Sequence, residues 1–194
     1  MKKKVRKPEQ TVPPRRKTFR HGDLRQALLD AGAARVYAVD AGTGQLRGWL
    51  RADPRVINLE RTNLAQLCPH LITEPANLIT MDLSYLAIAD AIGQIDRQML
   101  APAAQLIALV KPTFELHAAT LADQPQQIAT ATKTAVRALE DHGWRILGQQ
   151  PSPILGAKGA VEILLHAAAA SVCGTTPSSA PGSSARSGIR CRLS

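Results

Sequence analysis

ARVYAVDAGTGQLRGWLRADPRVINLE, residues Ala34–Glu60, decides the reading of the fold. It contains two short apolar runs, Val36-Tyr37-Ala38-Val39 and Val56-Ile57-Asn58-Leu59. Each ends on an acid, Asp40 and Glu60, and a Gly-rich turn, Gly42-Thr43-Gly44, follows the first. Runs this short and rich in β-branched residues read as strands. A strand that ends in a carboxylate beside a Gly-rich turn is the nucleoside edge of a doubly wound α/β sheet. The carboxylate can accept hydrogen bonds from both ribose hydroxyls, and glycine lets the backbone come close to the ligand. The same residues also suit an ordinary strand and turn, because glycine serves turns everywhere.

The chain on either side extends the alternation. Upstream, Asp23–Ala31 reads as a short helix that Asp23 can cap and Gly32 ends. Within the stretch, Leu46–Ala52 has room for about two helical turns before Pro54. Beyond it, Thr62 or Asn63 can cap a short helix through Leu67, and Leu78–Leu83 reads as a strand. Ile88, Ile92, Ile95 and Met99 have helical spacing, which predicts a helix over Ile88–Leu100. Gln105–Val110 is a buried strand followed by Lys111-Pro112, and Pro125–Gly143 is a helix. Trp144–Gly148 and Val161–His166 are the closing strands. Alternating strands and helices define an α/β domain, placed at residues 23–168. Residues 1–22 and 169–194 have the composition of a disordered basic arm and a disordered tail.

Composition narrows the function classes. Hydrophobic content of 45% supports a core, but aromatics at 3% make that core aliphatic. No run reaches the ~18 apolar residues of a membrane helix. The basic start lacks the apolar segment of a secretory signal, so cytoplasm is the expected compartment. The net charge of +9 sits at the ends: Met1–Arg20 carries nine Lys/Arg and one Glu, and the tail from Ser171 carries three Arg and no acid. Basic arms attract polyanions, RNA above all, or serve as solubilising tails. Cys68, Cys173 and Cys191 lack metal-ligand spacing, and no metal site is expected.

Several segments, in order, carry a resemblance. VYAVDAGTGQL, DPRVINLERTN, LITMDLSYLAI, LIALVKPTFE and VEILL, between Ala27 and His166, resemble the TlyA group of FtsJ-like RNA methyltransferases. That resemblance implies a Rossmann-like class I methyltransferase sheet of strand order 3-2-1-4-5-7-6. It also implies S-adenosylmethionine as cofactor and methyl transfer to ribose 2′-hydroxyls of ribosomal RNA. Two registers compete. In a generic reading Val36–Gly44 is the first strand with its glycine loop, and Glu60 is the ribose acid. In the family register Val36–Ala41 is the second strand, Asp40 is the ribose acid, and Glu60 ends the third strand near the adenine. The family register is preferred, since Pro54 truncates the helix after Gly44 and a first crossover usually carries a longer one.

In that register the family's first strand and glycine loop, D-x-G-A-S-T-G-G-F-T-D, fall on Arg16–Gln26, where only Gly22 matches. In this register an RNA-binding S4 domain and the segment with the first catalytic lysine are expected to be missing upstream. The sheet is therefore expected to lack its first strand, with open or irregular pairing at that place, and cofactor binding is expected to be weak. By motif, Asp82, Lys111 and Glu162 match three members of the family's Lys-Asp-Lys-Glu tetrad. The resemblance implies that Lys111 orients and activates the hydroxyl while Asp82 and Glu162 hold the lysine. It likewise places Asp40, Gly42, Glu60 and Asp82 at the cofactor. Glu115 is an alternative acid near Lys111, read as a helix-start charge, and Arg61 and Asn63 either touch cofactor or cap. Alternatives to an active methyltransferase are a catalytically inactive RNA-binding remnant and a non-functional fragment of a damaged reading frame.

Overall fold

The computed structural model describes residues 24–170. Its elements are α1 (Leu24–Asp30), β1 (Val36–Val39), α2 (Gly48–Arg51), β2 (Val56–Leu59), β3 (Ala76–Met81) and α3 (Ile88–Ala91). They continue with β4 (Leu100–Val110), α4 (Pro112–Glu115), α5 (Pro125–Asp141), β5 (Trp144–Pro151) and β6 (Ile163–Ala169).

Strands β1 and β2 pair in parallel. A four-stranded sheet follows the order β3-β4-β6-β5, with β3 and β4 parallel and β6 antiparallel to both β4 and β5. With β1 as second strand, β2-β1 and β3-β4-β6-β5 are the two halves of 3-2-1-4-5-7-6. The generic register requires the strand after β2 to pair with β2. Here β3 pairs with β4 instead, so strand order favours the family register. β1 and β3 do not pair with each other. In the family order the place between them is that of the first strand, and the expectation that this strand is lacking concerns residues outside the described range, as do the arm, most of the tail and the cap at Asp23.

The larger core follows from alternation. In β6 the burial of Ile163, Leu165, Ala167 and Ala169 alternates with half-exposed Leu164, His166 and Ala168. Leu106, Ala108 and Val110 of β4 do the same. These side chains join Ala135 and Leu139 of α5, with Ile88 and Ile92, in one cluster. Each buried leucine there contributes roughly 1.5–3 kcal/mol. Pro125 at the start of α5 loses no hydrogen bond by lacking an N–H, and Gly143, at φ 74, turns the chain after its end. A smaller cluster, Leu29, Val36, Ala38, Leu46 and Leu50, lies under β1 and β2.

Two helices are shorter than the sequence suggests. The helix expected over Ile88–Leu100 ends at Ala91 and breaks into 3-10 turns at Ile92–Gln94 and Arg97–Met99. Ile95 is extended, and the Asp96 side chain accepts from Gln98 N, starting a new turn where the helix would have continued. Gly93 lies against His142: a Cβ there would stand 2.9 Å from the ring Nε2. The helix before Pro54 is one turn, Gly48–Arg51. Strands β4 and β5 extend past their expected ends: β4 begins at Leu100 rather than Gln105, and β5 continues to Pro151 rather than Gly148.

Candidate active site

Parallel pairing of Met81 with Ala108 brings the carboxyl ends of β3 and β4 out on the same edge. Asp82 is the residue after β3 and Lys111 the residue after β4. Lys111 Nζ lies 2.7 Å from Asp82 Oδ1, with the lysine side chain 17% exposed and the aspartate 43%. Lys111 is extended, at φ −111 and ψ 103, as the following proline demands. Its carbonyl accepts from Phe114 N and Glu115 N, so α4 starts directly on it. Asp82 does not cap the next helix, whose N-cap residue is Ala87.

Glu162 reaches this edge from the opposite chain direction. Ile163 pairs with Val110, and continuing that register by one residue sets Glu162 across from Lys111. The carbonyl of Glu162 accepts from Ser152 N at 2.8 Å. Its carboxylate lies against Gly156, where a Cβ would come within 2.2 Å of Oε1. The ion pair and the strand register thus bring Asp82, Lys111 and Glu162 to one corner.

The other acids stand at the ends of β1 and β2. Asp40 Oδ1 accepts from Gly42 N at 2.8 Å, and Oδ2 faces Arg25 Nη2 at 3.8 Å. About a third of its side chain, 31%, is exposed. Glu60 is engaged differently. Its Oε1 accepts from Gly44 N at 2.9 Å and from Arg51 Nη2 at 2.7 Å. Hydrogen bonds from the Asn58 side chain and Gly44 N–H, with the Arg51 charge, hold its carboxyl below the ordinary value. Both acids brace the glycine turn, Asp40 through Gly42 and Glu60 through Gly44, and Asp40 keeps the larger exposed fraction, 31% against 22%. Thr62 N bonds to Asp40 O and Arg61 N to Gly42 O, which fixes one loop on the other. Arg61 makes that turn at φ 54. Asn63 caps the 3-10 turn Leu64–Gln66.

Two features escaped the sequence reading. Tyr85, three residues after Asp82 in the loop that leads to α3, is 61% exposed, in a chain with two tyrosines in all. Its position in D-L-S-Y was the available signal. Glu115 is buried at the end of α4, and its Oε1 accepts from Ile88 N at 2.6 Å. It does meet a helix start, but the start of α3 rather than of its own helix. Burial raises its pKa. Among the described residues no three His, Cys, Asp or Glu side chains group as a metal site, and no helix is long and apolar enough to cross a membrane.

Known proteins share this fold. The chain is 37% identical over 153 residues to the 16S/23S rRNA (cytidine-2′-O)-methyltransferase TlyA of Mycobacterium tuberculosis, covering 74% of this chain and 55% of that protein. It spans only about half the length of the curated relatives it matches first. A solved protein from Streptococcus thermophilus, labelled a hemolysin, superposes with a TM-score of 0.69 at 30% identity, over 75% of this chain and 55% of that one. A SAM-dependent methyltransferase from Methanosarcina mazei, 14% identical, shares the fold with a TM-score of 0.51, over 77% of this chain and 88% of that one. The sequence profile of the FtsJ-like methyltransferases matches residues 20–169. On this match, which covers nearly all of the described chain, the protein belongs to the FtsJ-like methyltransferase family.

Proposed function

We propose that this chain carries the methyl-transfer site of a ribosomal RNA 2′-O-methyltransferase dependent on S-adenosylmethionine. The observation that supports it most is the 2.7 Å pair of Lys111 with Asp82 at the shared edge of β3 and β4. A ribose 2′-hydroxyl is a weak nucleophile at neutral pH, so it must be aligned and its proton drawn away. Lys111 Nζ is the group that holds the hydroxyl oxygen, and Asp82 fixes that nitrogen from one side. Glu162, across from Lys111 in the strand register, flanks it from the other. The exposed ring of Tyr85 offers a face on which an unstacked base can lie.

The residues at the ends of β1 and β2 fit the nucleoside part of S-adenosylmethionine. Asp40 has solvent-facing carboxylate for two ribose hydroxyls, and Gly42 leaves that approach open. Glu60 supports this loop through Gly44. When bound, the cofactor supplies an electrophilic methyl group. Its affinity is low, because Arg16–Gln26 offers one glycine where the family loop has several. That same sequence feature favours a second reading, an RNA-binding remnant without catalysis.

Incubation of the full chain with ribosomal RNA and saturating labelled S-adenosylmethionine separates the two. Label at a ribose 2′-oxygen, lost in Lys111→Ala, is the expected result. RNA binding without any label in the wild type would support the remnant.

A further inference from the structure

Glu115 is 5% exposed and carries a carboxylate into the protein. Both of its oxygens are directed at the first turn of α3: Oε1 accepts from Ile88 N at 2.6 Å, and Oε2 faces Ala89 N at 3.4 Å. The chain positions of the two partners give these contacts their meaning. Ile88 closes the short loop that begins at Asp82. Glu115 closes the single turn that begins at Lys111. The carboxylate therefore ties the far end of the Asp82 loop to the far end of the Lys111 turn. The ion pair ties their near ends.

A stability role alone would be served as well by an apolar side chain. Burying a carboxylate is costly, and a well-packed hydrophobic residue of similar volume is often neutral or stabilising in its place. What an apolar residue lacks is two directed acceptors that fix one loop on another. We propose that Glu115 is a positioning residue, one that holds Lys111 against Asp82 by locking α4 to the start of α3. Its catalytic consequence rests on the methyl-transfer reading, but the geometric claim stands apart from it.

The test uses the full-length chain and three proteins: wild type, Glu115→Met and Glu115→Gln. Methionine keeps the packing and removes both acceptors, whereas glutamine keeps one. Each protein is treated with an amine-acetylating reagent, and modification of Lys111 is read by peptide mass spectrometry against exposed Lys133 as internal reference. Glu115→Met is expected to raise the Lys111-to-Lys133 ratio about tenfold, as loss of one charge-assisted hydrogen bond allows. Glu115→Gln is expected to raise it about threefold, since one acceptor remains. A wild-type ratio in folded Glu115→Met overturns the proposal. Should that variant fail to fold, a wild-type ratio in Glu115→Gln does so. Methyl transfer to RNA is measured on the same samples. A fall in kcat with KM for RNA unchanged, partly recovered in Glu115→Gln, upholds the positioning role. A raised ratio with no transfer even in the wild type upholds the clamp and overturns the methyl-transfer reading beneath it.

Discussion

The two sheets of this protein rest on unequal foundations. The four-stranded sheet is packed on a cluster of fourteen buried residues drawn from β3, β4, β5, β6, α3, α5 and the turn that follows α3. The β1–β2 pair rests on five, four of them from α1, α2 and β1. The candidate catalytic corner grows from the first, and the candidate nucleoside edge from the second. What holds the second together is largely polar: Arg51 on Glu60, Arg55 on Asp53, and the bonds of Tyr37 Oη to Thr73 Oγ1 and Glu74 N. Arg35 also pairs with Glu74. Most of these groups are partly solvent-exposed, where ion pairs contribute little. On the proposed function, the contrast makes chemistry and cofactor grip separable, with the cofactor side the weaker.

Core truncations probe that contrast most strongly. Leu106 and Leu50 are both fully buried, one in each cluster. Leu106→Ala is expected to cost about 4–5 kcal/mol and Leu50→Ala about 2–3 kcal/mol, since the thinner cluster can collapse into the void. Denaturant titration measures both. Hydrogen exchange sharpens the result: Leu50→Ala should release amides of β1 and β2 while those of β4 and β6 stay protected. Equal, global loss in both variants would erase the distinction.

A smaller effect tests the catalytic corner. Gly156→Ala puts a methyl group into the Glu162 carboxylate, which is expected to cost roughly 1–3 kcal/mol. Adding Glu162→Ala should restore most of the loss, because the clash then has no partner. An additive double variant would show that Glu162 does not occupy that place.

Acid gives the two regions opposite signs. The Arg55 guanidinium holds Asp53 down from 3.8 to about 2, and Asn58, Gly44 and Arg51 hold Glu60 below 4.5. Their stabilisation is present above the unfolded values and is lost as pH falls through the folded ones. Glu115 runs the other way. Burial raises it above 4.5, so its folded form keeps a proton that the unfolded chain has released. Stability from this group is greatest below 4.5 and is lost as pH rises toward the folded value. Amides of β1 and β2 should therefore lose protection first on acidification below about pH 3, and Glu115→Gln should flatten the slope above 4.5 seen in the wild type.

Much of this arrangement was legible from spacing and motif. Strand ends carry side chains to one edge of a parallel sheet, so Asp82 after a strand and Lys111 before a proline could be placed without coordinates. The alternation in β4 was not legible: Gln105–Val110 reads as a buried strand, yet Gln105 and Ile107 are exposed, because the run is apolar on both faces after Gln105. Nor was Glu115, because its partner Ile88 is distant in sequence and a backbone N–H leaves no mark on composition. The break after Ala91 was hidden by apolar spacing that continues through Ile95 and Met99, although the chain itself does not stay helical. Asp40 and Glu60 each end a strand, and only the choice of register separates their expected roles in the sequence. The contacts of Arg51 and Gly44 with Glu60, and of Gly42 and Arg25 with Asp40, leave no mark on the sequence.

Calorimetric titration of the full chain with S-adenosylmethionine tests the division of labour most directly. The expected result is weak binding, lost in Asp40→Ala and kept in Lys111→Ala. Low-micromolar binding by the wild type, or binding indifferent to Asp40, would contradict the account.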